Sequence, residues 1–226
     1  MRLINKPNCN KRCDCHVQAD PATGVLRGYT KCRHHVRALL KEMRDEQVHY
    51  ASLGAMDHPD AYITEFTECF GPLATVDGGA ALEIGAGTSP YIPMLQDCGY
   101  TYTAVESSPF AAAWLRQQPA VEVIEQDWEQ MHQRLPVSLI LAAHCIEHMR
   151  DAPLAVQQMA NVLVPGGLLY IIVPNDEDLC NPDHWWFFTE ASLRATVERA
   201  GLQVKTITSR RRIKRESFIY CQAVKP

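Results

Sequence analysis

The sequence predicts an α/β protein: a doubly wound, mostly parallel, seven-stranded sheet with an antiparallel edge hairpin and an N-terminal Cys-rich and helical extension. Three observations carry this prediction. From about residue 78 the chain alternates short apolar runs with amphipathic stretches, the pattern of strands joined by crossover helices. The first of these runs, "AALEIGAG", passes directly into a glycine turn. The last two, "LQVKTITS" and "SFIYCQAV", are separated only by "RRRIKRE", too short for a crossover and therefore a hairpin.

Taken in order, the elements begin with a head rich in cysteine and histidine. Cys9, Cys13, Cys15 and Cys32 fall within the first 32 residues, beside His16, His34 and His35. Four thiols in so short a stretch suit one Zn²⁺ held by thiolates, with His16 as a substitute ligand. The alternative is a polar segment whose thiols merely cluster, since the spacing contains no C-x-x-C pair. After Cys32, residues Val36, Leu39, Leu40, Met43, Gln47 and Tyr50 recur at steps of three and four, which predicts a helix. "MDHPDAYITEFTECFGP" predicts a second, with Asp57 as cap, Pro59 in the first turn and Gly71-Pro72 as stop. Tyr62, Phe66 and Phe70 form its buried stripe. This helical piece is expected to cover one end of the sheet. The chain then divides into a head over 1–35, a helical extension over 36–77 and a sheet domain over 78–226.

Within the sheet domain, "AALEIGAG", "YTAVES", "AVEVIEQDW", "VSLILAAH" and "GLLYIIVPN" read as five buried strands ahead of the hairpin. Helices are expected over 110–118, over 152–163 (ended by Pro165-Gly166-Gly167) and over 190–200 (ended by Gly201).

Composition narrows the function. With 46% hydrophobic and 21% charged residues the chain is an ordinary globular one, and a net charge of -4 argues against nucleic-acid binding. No apolar run approaches the ~18–20 residues needed to span a bilayer. The N-terminus lacks the apolar core of a secretory signal. The expectation is a cytoplasmic protein whose nine cysteines are thiols or metal ligands.

The glycine turn is the first functional signal. In "LEIGAGTSPY", Gly85 and Gly87 let the backbone turn sharply off the strand and let a ligand approach. A dinucleotide fingerprint needs a third glycine at position 90, which is Pro90 and has no N–H for a pyrophosphate. Glu106, 19 positions after Gly87, ends the second strand, where a carboxylate accepts both ribose hydroxyls of an adenosine cofactor.

With these residues the chain resembles the class I S-adenosylmethionine-dependent methyltransferases over roughly 78–226. Glu83 opens their first motif, Gly85 and Gly87 follow, and Ser89 stands in place of the last glycine. "NVLVPGGLLYIIVPN" is similar to the family's helix-turn-strand, and "HWWFFTEASLRATVERAGLQV" to its late aromatic segment. The resemblance implies a Rossmann-like methyltransferase fold with S-adenosylmethionine as cofactor. It also implies that Glu106 holds the ribose and that Asp127 with Trp128 flanks the adenine. The partner implied is a small-molecule methyl acceptor, and the head is a candidate surface for a protein partner. A cofactor-binding scaffold without turnover and an NAD-linked oxidoreductase stand as alternatives.

One motif points elsewhere. "LAAHCIEHM" contains His144, Glu147 and His148 in the H-x-x-E-H spacing of a zinc peptidase, which must lie inside a helix. Here it directly follows a strand, and Asp151 begins the next helix, so a strand-to-helix loop is expected instead. The loop resembles the "L-E-H…D-P" segment of methyltransferases. Some ubiquinone-pathway O-methyltransferases bind a divalent metal with an acidic-x-x-Glu-His version of it. His144, Glu147 and His148 are therefore either a metal-ligand set for Zn²⁺, Fe²⁺ or Mn²⁺ or a wall of the substrate pocket. His148 and His144 are the first candidates for a general base and His184 the third. Of Trp185, Trp186 and Phe187, one is expected to touch ligand.

Overall fold

The computed structural model describes residues 59–131, 136–175, 184–211 and 217–226 in full, and residues 4–5, 16–19 and 26–29 as backbone. The strands β4 (Gly79–Ile84), β5 (Tyr100–Glu106), β6 (Val121–Glu125), β7 (Val137–Ala143), β8 (Leu163–Pro174), β10 (Gln203–Arg211) and β11 (Ser217–Val224) form one sheet. Its order is β10-β11-β8-β7-β4-β5-β6, parallel from β8 to β6 and antiparallel across β8, β11 and β10. The central strands are apolar on both faces, as strands covered by helices on each side must be; Leu139, Ile140, Leu141, Leu169 and Ile171 are at most 1% exposed. At the hairpin edge, β10 carries Lys205, Arg210 and Arg211, charges that discourage edge-to-edge pairing.

Helices α1 (Pro59–Phe70), α2 (Ile92–Asp97) and α3 (Pro109–Leu115) lie on one face; α4 (Ala152–Val162) and α5 (Glu190–Arg199) lie on the other. The expected stripe of α1 is present. Phe66 is buried and stacks edgewise on Phe70, and both rings lie within about 5 Å of Tyr170. The helix therefore covers a face of the sheet, not its end. Glu65 accepts from the Tyr220 hydroxyl and Glu68 pairs with Arg210, so the edge hairpin is fastened to α1 as well. Pro59 occupies the first helical position, where its missing N–H costs nothing.

Three expectations need correction. Helix α2 was not foreseen, because "IPMLQD" is too short to show a period. Helix α3 ends at Leu115, well short of 118. The run Pro165-Gly166-Gly167 does not follow a helix end directly; α4 stops at Val162 and these residues already belong to β8. There the Gly166 N–H donates to the Lys225 carbonyl and the Lys225 N–H to the Gly167 carbonyl, just past the end of β11.

A second, four-stranded sheet was not expected. Strands β1 (Ile4–Asn5), β2 (His16–Ala19) and β3 (Leu26–Tyr29) form an antiparallel meander. β3 pairs with β9 (Trp186–Phe187) in the register Leu26↔Phe187 and Arg27↔Trp186. The helix expected over 36–50 and the thiols of Cys9, Cys13, Cys15 and Cys32 lie outside the described residues. Among the described residues no helix is long and apolar enough to cross a membrane.

Candidate active site

The order of the large sheet reverses at β4: β5 and β6 lie on one side of it, β7 and β8 on the other. The crevice outside the carboxyl ends of such strands is where open α/β sheets bind ligands. Two segments flank it here, the turn 85–91 after β4 and the loop 144–149 after β7.

The turn is built by its glycines. Gly85 and Gly87 have φ of +66° and +55°, the left-handed region. A Cβ at Gly85 would stand 2.6 Å from the Cβ of Cys145, so this glycine lets the turn press against the loop after β7. That is a different use from the ligand approach expected of it. The Gly87 N–H donates to Glu106 Oε2 at 2.7 Å, and the Ser108 N–H donates to Glu106 Oε1 at 2.7 Å. Glu106, 6% exposed, is thereby locked in place with one lone pair still open on each oxygen.

Glu83 has another role. It is 2% exposed, and its Oε2 accepts from the Ser89 hydroxyl at 2.7 Å and the Tyr102 hydroxyl at 2.6 Å. Ser89 Oγ in turn accepts from the Tyr91 N–H. The serine in place of the third glycine is thus a bridge between strand and turn. Burial pushes the Glu83 carboxyl up to about 7, against the lowering effect of its two hydroxyl donors. Asp127 caps a short 3₁₀ turn by accepting from the Glu129 N–H, and the buried Trp128 donates its indole N–H to the Ala155 carbonyl.

The loop after β7 does not form a peptidase helix. Residues 146–148 make a single 3₁₀ turn, and His144 sits at φ +53°, a left-handed conformation rare for a residue with a side chain. His144 Nδ1 is 3.9 Å and His148 Nε2 4.0 Å from Glu147 Oε1, which is 1% exposed. The structure adds His184 to this group: its ring meets that of His148 edgewise, with centroids 4.9 Å apart. The Trp185 N–H donates to the Glu147 carbonyl, and the Trp186 indole N–H donates to the Met149 carbonyl, both at 2.8 Å. Trp186 and Phe187 are core residues at 3% and 2% exposure, whereas Trp185 is 36% exposed.

Two further residues shape the loop and were not singled out from the sequence. Glu129 accepts from the Arg150 and Asp151 N–H groups, and Phe218 of β11 packs edgewise on His144. Neither announces itself, because the partners are backbone amides and a ring distant in sequence.

The turn and the ends of β4, β5 and β6 contribute Glu83, Glu106 and Asp127 but no lysine or arginine from 81–91 or 104–108. A cofactor carrying phosphates has no cationic partner there, and Pro90 gives it no N–H. An adenosine cofactor bearing a sulfonium cation fits a lining whose acidic groups are Glu106 and Asp127.

A family model described as a methyltransferase domain matches residues 57–207. No curated protein matches the chain by sequence. Among solved structures it is similar to the 1,6-didemethyltoxoflavin-N1-methyltransferase of Burkholderia thailandensis, seen with bound 1,6-didemethyltoxoflavin and S-adenosylhomocysteine. That likeness has a TM-score of 0.62 at 16% identity and covers 98% of this chain and 99% of the other. An S-adenosylmethionine dependent methyltransferase from Mesorhizobium loti is similar at a TM-score of 0.60 and 13% identity, over 71% of this chain and 97% of that one. The [4+2]-cyclase SpnF is similar at 0.61 and 15%, over 74% and 80%. At such identities the structural likeness concerns the fold. The family match takes in the glycine turn, Glu106 and the histidine group.

Proposed function

The chain belongs to the class I S-adenosylmethionine-dependent methyltransferases, and from that premise we propose that it methylates a small-molecule acceptor held between the loop 144–149 and the segment 184–188. The observation that carries this reading is the pairing of two built sites across one switch point. On one side stands Glu106, fixed by two backbone N–H donors beside the glycine turn. On the other stands a group of three imidazoles around a buried carboxylate.

In this reading Glu106 receives the ribose hydroxyls in the lone pairs its backbone donors leave open. Gly85 and Gly87 shape the turn, Glu83 holds that turn to β5 through Ser89 and Tyr102, and Asp127 and Trp128 border the adenine. When bound, the cofactor supplies a methyl group on a sulfonium that is already a good leaving group. The protein's share is alignment and removal of the acceptor's proton, for which His144, His148 and His184 are the available bases. Trp185, the exposed ring of the aromatic segment, offers a face to a planar acceptor.

Calorimetric titration with S-adenosylhomocysteine, followed by a labelled-methyl turnover screen over small phenols, amines and enols, tests the proposal. His148→Ala is expected to lose on the order of 10²–10⁴ in rate while leaving cofactor affinity within about twofold. Full turnover in this variant would remove His148 from the chemistry. Tight cofactor binding without methylation of any acceptor class would favour a non-methylating reaction on the same fold, a reading for which the likeness to a cyclase gives grounds.

A further inference from the structure

We propose that Glu147, His148 and His184 form a site for one divalent transition-metal ion at the acceptor side of the crevice. Their donor atoms all lie within 4.8 Å of one another. Donors of a tetrahedral ion with bonds of about 2.0–2.1 Å stand about 3.3 Å apart, so closure needs a shift of about 1 Å at each donor. His148, with its side chain 46% exposed, has the freedom to make most of that movement. Glu147 and His184 are buried, and the backbones carrying them are tied together by the Trp185 N–H and the Trp186 indole N–H. The ligands therefore come from two segments joined by hydrogen bonds, which is the preorganisation a metal site needs.

The donor set names the class of ion. Two imidazoles and one carboxylate are the ligands of catalytic zinc sites and of facial non-haem iron sites, and in both they leave positions open. Absence of a thiolate admits Zn²⁺, Fe²⁺ and Mn²⁺. An open position here would take an oxygen or nitrogen of the acceptor, lowering its proton affinity before methyl transfer. This role rests on the methyltransferase reading; the site itself does not. His144, whose Nδ1 approaches Glu147 Oε1 at 3.9 Å, is outside the set of three. It becomes the imidazole left for proton removal. The ligand triad thus differs from the H-x-x-E-H spacing in the sequence: His184 replaces His144.

The test counts metal in the full-length chain. Zn²⁺ stoichiometry is measured after dialysis against Zn²⁺-containing buffer in the wild type and in His148→Ala, His184→Ala and His144→Ala, with the S-adenosylhomocysteine dissociation constant measured in each. His148→Ala and His184→Ala should each hold one equivalent less than the wild type, whatever the cysteine-rich head binds, while His144→Ala keeps it. Loss of a direct ligand should weaken Zn²⁺ binding by more than the 10–100-fold typical of outer-shell changes. His184→Cys should keep Zn²⁺ and lose Mn²⁺, a distinction that mere damage to folding does not produce. Equal Zn²⁺ in wild type and His148→Ala, or loss in His144→Ala with retention in His184→Ala, overturns the proposal. Failure of S-adenosylhomocysteine to bind the wild type while the metal pattern holds would instead count against the cofactor reading alone.

Discussion

Gly85 lies under two separate constraints, a left-handed backbone and a neighbour's Cβ at 2.6 Å, and each makes its own prediction. Gly85→Ala should lose about 1–2 kcal/mol from backbone strain and a further ~1–3 kcal/mol from overpacking against Cys145. Chemical denaturation of Gly85→Ala, Cys145→Gly and the double variant separates the two. The double variant should be less destabilised than the sum of the singles by about 0.5–3 kcal/mol, and strict additivity would mean that the two residues do not press on each other. Glu106 has two roles in the proposed function, because the oxygens assigned to the ribose hydroxyls also hold the Gly87 and Ser108 N–H groups. Glu106→Ala should therefore lower cofactor affinity by more than one charge-assisted hydrogen bond, itself worth roughly 1.5–3 kcal/mol. It should also destabilise the unliganded protein. Calorimetry with S-adenosylhomocysteine and a denaturation curve read the two effects independently.

At the scale of elements, the strand β4, its turn and β5 are joined through one buried carboxyl. Glu83 holds Ser89 of the turn and Tyr102 of β5, and its raised value, about 7 against an ordinary 4.5, favours the protonated form in the folded chain. The folded state therefore keeps a proton that the unfolded state gives up above pH 4.5. Its stabilising effect is full below that pH and is lost as pH rises to about 7. Glu83→Gln should remove this slope. The wild-type unfolding free energy, taken relative to the variant, should fall by on the order of 3 kcal/mol between pH 4.5 and 8. A constant difference across that range would mean that Glu83 stays ionised in its bridge. Helix α5 offers a contrast, since its start is entirely local: Thr189 and Ser192 form a reciprocal capping box.

At the scale of the whole molecule, β9 joins the small sheet to the loop after β7, its Trp186 indole N–H donating to the Met149 carbonyl. β9, which pairs with β3 of the head, lies between His184 of the proposed metal site and α5 of the core. The head is thus paired with the segment that follows Trp185, the ring proposed to face the acceptor. Leu26→Pro, which disrupts β3 at a position registered with Phe187 of β9 and restrains the backbone, should raise the acceptor KM several-fold with little change in S-adenosylhomocysteine affinity. Steady-state kinetics with the acceptor found in the turnover screen measures this. An unchanged KM would make the head structurally attached but functionally separate.

By itself the sequence determined the sheet, the order of its strands in the chain and the edge hairpin, and it singled out the glycine turn and Glu106. These are written in short-range signals: apolar runs five to eight residues long, a glycine pair after a strand, and an acidic residue at the next strand end. The loop after β7 was legible in the same way, because His144 directly follows the strand "VSLILAA" and Asp151 opens the next helix. Tertiary structure alone decided the neighbour that makes Gly85 a glycine, the bridging use of Ser89, and the strand pairing of the head with Trp186 and Phe187. It also decided which histidine joins Glu147 and His148. Position 184 lies 36 residues beyond His148 and follows no period that links it to the loop. Only the packing of β9 beside the 3₁₀ turn brings the two together, and long-range contacts of that kind leave no local trace in sequence.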